Sequence, residues 1–386
     1  MKSKLSAWKY VKNNKRTVAV LVTALALSCV AMYAIYVLLI TTTDSLRPIM
    51  LELPKKVSYA SLTGKAYGLD AASFEDNEAY SKAYDEAQEE LIRKLKEVPG
   101  IDDAIYTQIQ GSTYQAVMGG YSFEMPLLEV DQIQGFLDHV GAELVDGEMP
   151  KEPGDVLVDE TILKNQEMIL GDWYYKEWFG ETFRISGVIR SKSMACVGVP
   201  HGFNNRGWYI VVYNDETTMD LSKILTELGI QLGDGDEIID SKAYLASYKK
   251  DVEGTIDMVL STIFTIVMTF LAILVLVAYT SFMRNRMNEY CLYASIGYGR
   301  GEIYGMILRE MILLFGLGLG TGMLLSLVTA AILNALIIEP KGLVGYVFYG
   351  RQVLNIVSTY VFLMGILQLP ILMNLRRIRT IDAIED

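Results

Sequence analysis

The sequence predicts a membrane protein with four transmembrane α-helices, one before and three after a large α+β extracytoplasmic domain inserted between the first and second. Three observations carry that expectation: four uninterrupted apolar runs, a polar stretch of about 210 residues between the first two of them, and a division of charge between the two kinds of segment. With 386 residues, 51% of them hydrophobic, and a mean hydropathy of +0.26, the chain is too apolar for an ordinary soluble protein and too charged to lie in the membrane throughout.

The apolar runs cover residues 17–40, 256–283, 311–338 and 353–372. Crossing a bilayer takes about 20 residues at a rise of about 1.5 Å each, so each run is long enough. None has a charge near its centre; Asp257 and Glu310 fall at run ends, where water is expected. That pattern argues against a proton- or ion-relay carrier, which keeps ionisable groups inside the membrane. The N-terminal run follows a basic stretch, as in a signal peptide, but it is longer than a typical signal core, and Leu27 before Ser28-Cys29 makes a poor lipoprotein processing site. A retained helix is expected.

Orientation follows the distribution of Lys and Arg. The first sixteen residues hold Lys2, Lys4, Lys9, Lys12, Lys15 and Arg16 and no acid; residues 284–310 hold Arg284, Arg286, Arg300 and Arg309; the tail holds Arg376, Arg377 and Arg379. This gives a basic cytoplasmic N-terminus over 1–16, an extracytoplasmic domain over 43–255, a cytoplasmic elbow over 284–310, a short external loop over 339–352 and a cytoplasmic tail over 373–386.

Residues 43–255 carry 19 Lys and Arg against 38 Asp and Glu, a net of −19, while the remainder nets +7. The acidity therefore belongs to the inserted domain. It serves solubility and keeps the domain off anionic lipid, and it also suits recruitment of a cationic peptide; nucleic-acid binding does not fit this charge. The three cysteines, Cys29, Cys196 and Cys291, fall in different compartments, so no disulfide is expected, and two histidines make no zinc constellation.

In the inserted domain, Tyr80, Tyr84, Ala87, Leu91, Leu95 and Val98 recur at helical spacing and predict a helix over 73–98, stopped by Pro99-Gly100. Its acids lie toward the start and its bases toward the end, as the helix dipole favours. Strands are expected over 101–110, 155–158, 182–189, 194–199 and 208–213, a second helix over 221–228, and buried or half-buried strand aromatics, or else a ligand-stacking or membrane-touching loop, at Trp173, Tyr174, Tyr175, Trp178 and Phe179. Two lobes are expected. Residues 244–254 are helix-compatible and lead into the second span without a Pro, as a stalk would. The run Gly233-Asp234-Gly235-Asp236-Glu237 hints at calcium but fails the twelve-residue loop pattern and reads as an acidic turn. No Ser/His/Asp or Cys/His arrangement supports a hydrolase, and no GxxxxGK[ST] loop is present for nucleotide.

The elbow reads as a short helix, a Gly297-Tyr298-Gly299 break and a second helix running into the third span. That span contains Gly316, Gly318, Gly320 and Gly322, two small-xxx-small pairs that suit either packing against the protein's own spans or a dimer seam.

Asn288 to Gly297 resembles the elbow segment of FtsX-like permease domains of MacB-type ABC transporters: Glu289, Leu292, Ala294, Ile296 and Gly297 match, and Arg300, Ile303 and Glu310 are compatible. Tyr298-Gly299 before Arg300 is a departure. In the inserted domain, residues 95–101, 147–158, 170–172 and 183–189 are similar, in order, to the MacB-like periplasmic core domain. The resemblance implies a permease-only subunit of the type VII, mechanotransmission class in the bacterial cytoplasmic membrane, with both termini cytoplasmic. It implies no catalysis and no cofactor bound by this chain, ATP and Mg being used by a separate cytoplasmic ABC ATPase. Arg284, Arg286 and Glu289 would make polar contacts with that ATPase, Leu292 and Ile296 would be apolar anchors or pack on the protein's own spans, and Gly297 would form the break. Further implied partners are a second permease copy or a paralogue, membrane lipid, and an extracytoplasmic adaptor, substrate-binding protein or hydrolase. The implied function is export or efflux of a peptide, antibiotic or lipid-linked molecule; the alternative is a non-transporting signal transducer that regulates an envelope enzyme or sensor.

Overall fold

Long runs of Leu, Val, Ile and Ala satisfy their main-chain groups away from water only as helix, and the chain begins that way. The computed structural model describes residues 7–117, 119–174, 183–201, 208–214 and 219–377. A short helix, α1 (Ala7–Asn13), precedes α2 (Lys15–Arg47). At Pro48, which has no N–H to donate, the helix widens into a π turn, Pro48–Glu52.

The inserted domain opens with β1 (Val57–Ser61). α3 (Asn77–Leu95) starts where the Asp76 carboxylate accepts the Ala79 N–H at 2.7 Å, and its apolar stripe buries Leu91 and Leu95. β2 (Ile101–Ala116) and β3 (Gly119–Leu127) form a long antiparallel hairpin, longer than the strand expected over 101–110. α4 (Val130–Val140), which the sequence reading missed, follows and ends at Gly141 with φ +67°. Next come β4 (Glu143–Gly147), β5 (Asp155–Asp159), α5 (Glu160–Asn165) and β6 (Trp173–Tyr174). β7 (Phe183–Arg190), β8 (Val197–Gly198), β9 (Trp208–Asn214), α6 (Leu221–Glu227), β10 (Glu237–Ile239) and α7 (Ser241–Ser247) complete the domain.

Among the described residues, the ten strands belong to one sheet, in the order β10-β1-β9-β2-β3-β8-β5-β7-β4, with β6 paired to β7. The two expected lobes are thus joined, through a parallel pairing of β3 with β8 at Leu127 and Gly198. One face of the sheet packs Ala60, Ala104, Ile210 and Val212 against Leu91 and Leu95 of α3 and Leu221 and Leu225 of α6. On the other, α4 sets the Phe136 and His139 rings 6.0 and 5.1 Å from that of Tyr213. Within the aromatic cluster, Tyr174 is buried and Trp173 exposed, while Tyr175, Trp178 and Phe179 lie outside the described residues. In the acidic turn, Asp236 accepts the Thr63 N–H at 2.6 Å and the Gly233 N–H at 2.8 Å, so its carboxylate closes the turn.

The chain stays helical from Ser241 through a π turn at Tyr248–Glu253 into α8 (Gly254–Asn285). α9 (Met287–Ser295), α10 (Arg300–Leu333) and α11 (Gly350–Arg377) follow. Among the described residues, the helical stretches Val18–Glu52, Arg300–Lys341 and Gly350–Met373 are long and apolar enough to cross a membrane. α8 occupies the run expected as the second span; its 32 residues reach about 48 Å, and it carries no charge from Met258 to Met283.

Contacts divide the chain into two units: Met1–Ile40 with Asp257–Leu336 and Gly345–Asp386, and Thr41–Ile256 with Ile337–Val344. The segment after α10 is therefore part of the inserted domain's unit. Asn165 donates from Nδ2 to the carbonyls of Gln115 at 2.9 Å and Lys341 at 3.0 Å, and its Oδ1 accepts the Gln115 N–H at 2.7 Å. The Tyr114 hydroxyl, its pKa pushed up to about 12 by burial, donates to the Gly342 carbonyl at 3.0 Å. Val344 N–H donates to Ser45 Oγ at 2.8 Å. Gly342 has φ +62°, and a Cβ there would lie 2.7 Å from the Thr161 carbonyl, so only glycine fits.

Asn165→Ala removes three hydrogen bonds made by a side chain that is itself buried, and should destabilise the inserted domain by about 2–3 kcal/mol. Chemical unfolding of the full chain in detergent measures this; a loss below about 0.5 kcal/mol would mean that water replaces the side chain without consequence.

Candidate functional site

The elbow joins three helices within one unit. α8 ends at Asn285, Arg286 forms the corner, and α9 runs for nine residues. α9 then closes with a Schellman turn: Tyr298 N–H donates to the Tyr293 carbonyl at 3.1 Å and Gly297 N–H to the Ala294 carbonyl at 3.0 Å. Gly297 has φ +93°, the left-handed conformation that this turn requires at its position. α10 begins three residues later, at Arg300, and the Glu302 carboxylate accepts the Gly299 N–H at 2.8 Å.

The expected polar contacts separate. Arg284 is exposed. Arg286 is only 5% exposed and turns inward, which corrects its assignment as a surface contact. Its Nε and one terminal nitrogen donate to Glu289 at 3.1 and 3.0 Å, and the other terminal nitrogen donates to Glu310. The guanidinium carbon lies 4.9 Å from the Tyr290 ring centre and 5.8 Å from that of Phe282, within cation–π range. Glu310, expected at a watery span end, is 2% exposed. The correction has a simple cause: Arg286 reaches across the elbow from 24 residues earlier and neutralises it. The sequence held one signal for this, an Arg at the start of the elbow and a Glu at the start of the next span, but nothing local aligned them. Tyr290, fully buried, was missed as well.

With Tyr290 turned inward, Asn288, Glu289, Leu292, Ser295 and Ile296 share the exposed face of α9, at the spacing of one helix side. Leu292 and Ile296 are 60% and 64% exposed.

The glycines of α10 also separate. A Cβ at Gly318 would lie 2.6 Å from Leu25 Cβ, and one at Gly322 would lie 2.6 Å from Cys29 Cβ, so these two admit α2. Gly316 and Gly320 meet nothing within 4 Å. Polar bonds join α2 to α11 and to the segment just before it: Tyr360 donates to the Leu25 carbonyl, Gln352 to the Met32 carbonyl at 3.3 Å, and Tyr33 to the Val347 carbonyl at 2.9 Å. Among the described residues, no group of His, Cys, Asp and Glu could hold a metal ion.

An inserted α/β domain followed by a set of long apolar helices defines a multi-pass membrane protein of the 1+3 type. Within it, residues 261–383 match the family model of the FtsX-like permease C-terminal region. No curated protein matches the chain. Among solved structures, the chain is similar to the periplasmic region of MacB from Actinobacillus actinomycetemcomitans, at 15% identity over 53% of this chain and 96% of that one, with a TM-score of 0.27. It is also similar to the extracellular domain of the noncanonic ABC-type transporter YknZ from Gram-positive bacteria, at 13% identity over 48% and 99%, with a TM-score of 0.26.

Arg286→Met leaves Glu310 charged and buried, and should cost about 3–5 kcal/mol of stability, most of it recovered in the Arg286→Met/Glu310→Met double variant. Unfolding in detergent tests this. A single variant within about 1 kcal/mol of wild type would show that the pair is solvated.

Proposed function

We propose that the elbow is the docking point for a separate cytoplasmic ABC ATPase, and that the permease passes the work of ATP hydrolysis to the inserted domain rather than moving substrate between its own helices. The observation that carries the reading is the exposed face of α9, where Leu292 and Ile296 stand beside Glu289 on a helix anchored from behind by Arg286. Two large apolar side chains on a short polar helix gain little from water and much from a partner's groove. Arg284 adds an exposed cation next to that face.

In this reading the elbow and both termini face the cytosol, and the inserted domain lies outside. Gly316 and Gly320, open to approach, suit a second permease copy or a related subunit. The output is export of a peptide, antibiotic or lipid-linked molecule.

Leu292→Asp/Ile296→Asp should fold normally, since both positions are exposed, yet weaken co-purification with the ATPase by about 30-fold or more, as loss of an interface hot spot does. Glu289→Lys should weaken it less and in a salt-dependent way. Affinity purification in mild detergent, with the ATPase activity of the complex as second readout, decides. Undiminished capture and stimulation in the double variant would place the docking point elsewhere.

A further inference from the structure

β2 has different neighbours along its length. From Ile101 to Gln108 it pairs with β9, and from Gln108 to Ala116 it pairs with β3. β3 ends at Leu127, opposite Gln108, and the chain turns away into α4. Among the described residues, the edge of β2 from Asp103 to Thr107 that faces away from β9 has no strand beside it. A cavity of about 460 Å³ lies along this edge, walled by the end of α3 on one side and by α4 on the other. Its size falls in the range of ligand pockets.

Three observations point to an occupant. The Ala104 N–H donates to the Asp103 carboxylate at 2.8 Å, a local substitute for a strand partner. Tyr213 lines the cavity, is 5% exposed, and its buried hydroxyl has no hydrogen-bond partner among the described residues, a condition that native interiors rarely leave unfilled. Finally, the cavity has a net negative charge. Lys96 and Asp103 neutralise each other at 2.7 Å, while the Asp131 carboxylate on the α4 wall is in no ion pair among the described residues. The surrounding segment, residues 43–255, nets −19.

We propose that this open edge of β2 binds an extended basic peptide by strand addition, with a lysine or arginine side chain of the peptide entering the cavity beside Asp131 and Tyr213. Main-chain bonding to the edge supplies affinity and the cavity supplies selection, as in other strand-addition sites. The free edge spans five residues, about 17 Å. Gly135, one helical turn from Asp131, keeps the α4 wall open: a Cβ there would meet nothing within 4 Å. The inference concerns binding alone and does not rest on coupling to an ATPase.

The test uses the full chain in nanodiscs without nucleotide and a fluorescein-labelled Arg-Val-Arg-Val-Arg-Val peptide, followed by anisotropy. Saturable binding is expected. Gly135→Leu, which fills the cavity from an unobstructed helix position, and Asp131→Lys should each weaken it at least about tenfold while the thermal midpoint is unchanged or raised. The same peptide N-methylated at alternate residues, in either register, should lose binding in the register that blocks the edge. A Glu-Val repeat should not bind. The proposal is overturned if the arginine peptide does not bind, if both variants bind it as wild type does, if both N-methylated peptides bind fully, or if arginine amide binds as tightly as the peptide, which would make this a small-cation pocket.

Discussion

The elbow is held together by one guanidinium. Burying a charge carries a desolvation penalty of several kcal/mol, and Arg286 offsets it by engaging two carboxylates and lying near two aromatic rings at once. Arginine suits this position because its donors are spread across a rigid plane: two nitrogens meet Glu289 on α9 while the third meets Glu310 on α10. A lysine, with a single point of charge, could not span them. The end of α8, the start of α9 and the third turn of α10 are thereby fixed to one another. The exposed face of α9, with Leu292 and Ile296, lies opposite that base.

Away from the elbow the constraint changes, because hydrocarbon gives helices no hydrophobic reason to prefer one another to lipid. Close approach and polar bonds do that work. Gly318 and Gly322 bring α10 against Leu25, Ala26 and Cys29 of α2, and Tyr360 and Gln352 of α11 bond to main-chain carbonyls of the same helix. Those carbonyls already accept within α2, so the added donors use second lone pairs and leave the helix intact. The first helix, far from the others in sequence, is thus the one that α10 and α11 share.

Features that repeat locally were legible in the sequence. The stripe of α3 and the glycine break at Gly297 declare themselves within a few turns of chain, and three of the four expected apolar runs lie in helices long enough to cross a membrane. Features set by distant partners were not. β2 was read only to residue 110 because its second half, Gly111-Ser112-Thr113-Tyr114-Gln115-Ala116, is polar; pairing with β3 makes it a strand. Arg286 looked like a surface cation because its buried partner lies 24 residues away. The loop after α10 looked like a spacer, since neither Gly342 nor Val344 shows in sequence that Tyr114 and Ser45 await them. At the site itself, Arg286 pairs inward with Glu289 and Glu310, while Arg284, two residues earlier, is exposed.

α10 is the element on which these constraints converge. Its N-terminus follows the Schellman turn at Gly297, and beyond Leu333 the chain passes through a π turn into Ile337–Val344, which belongs to the inserted domain's unit. This helix has 34 residues and is about 51 Å long. Its middle is also its weakest part, since glycine inside a helix is less stable than alanine by roughly 1 kcal/mol per residue and four of them fall between Gly316 and Gly322. A helix so composed would bend under load if it stood alone. Gly318 and Gly322, however, let Leu25 and Cys29 of α2 lie against the backbone at this very point, with Cys29 Sγ 3.7 Å from Ser326 Oγ one turn on. The glycines that soften α10 are therefore also what admits the neighbour that stiffens it, and a larger residue at Gly318 or Gly322 would lose the support without removing the other soft positions.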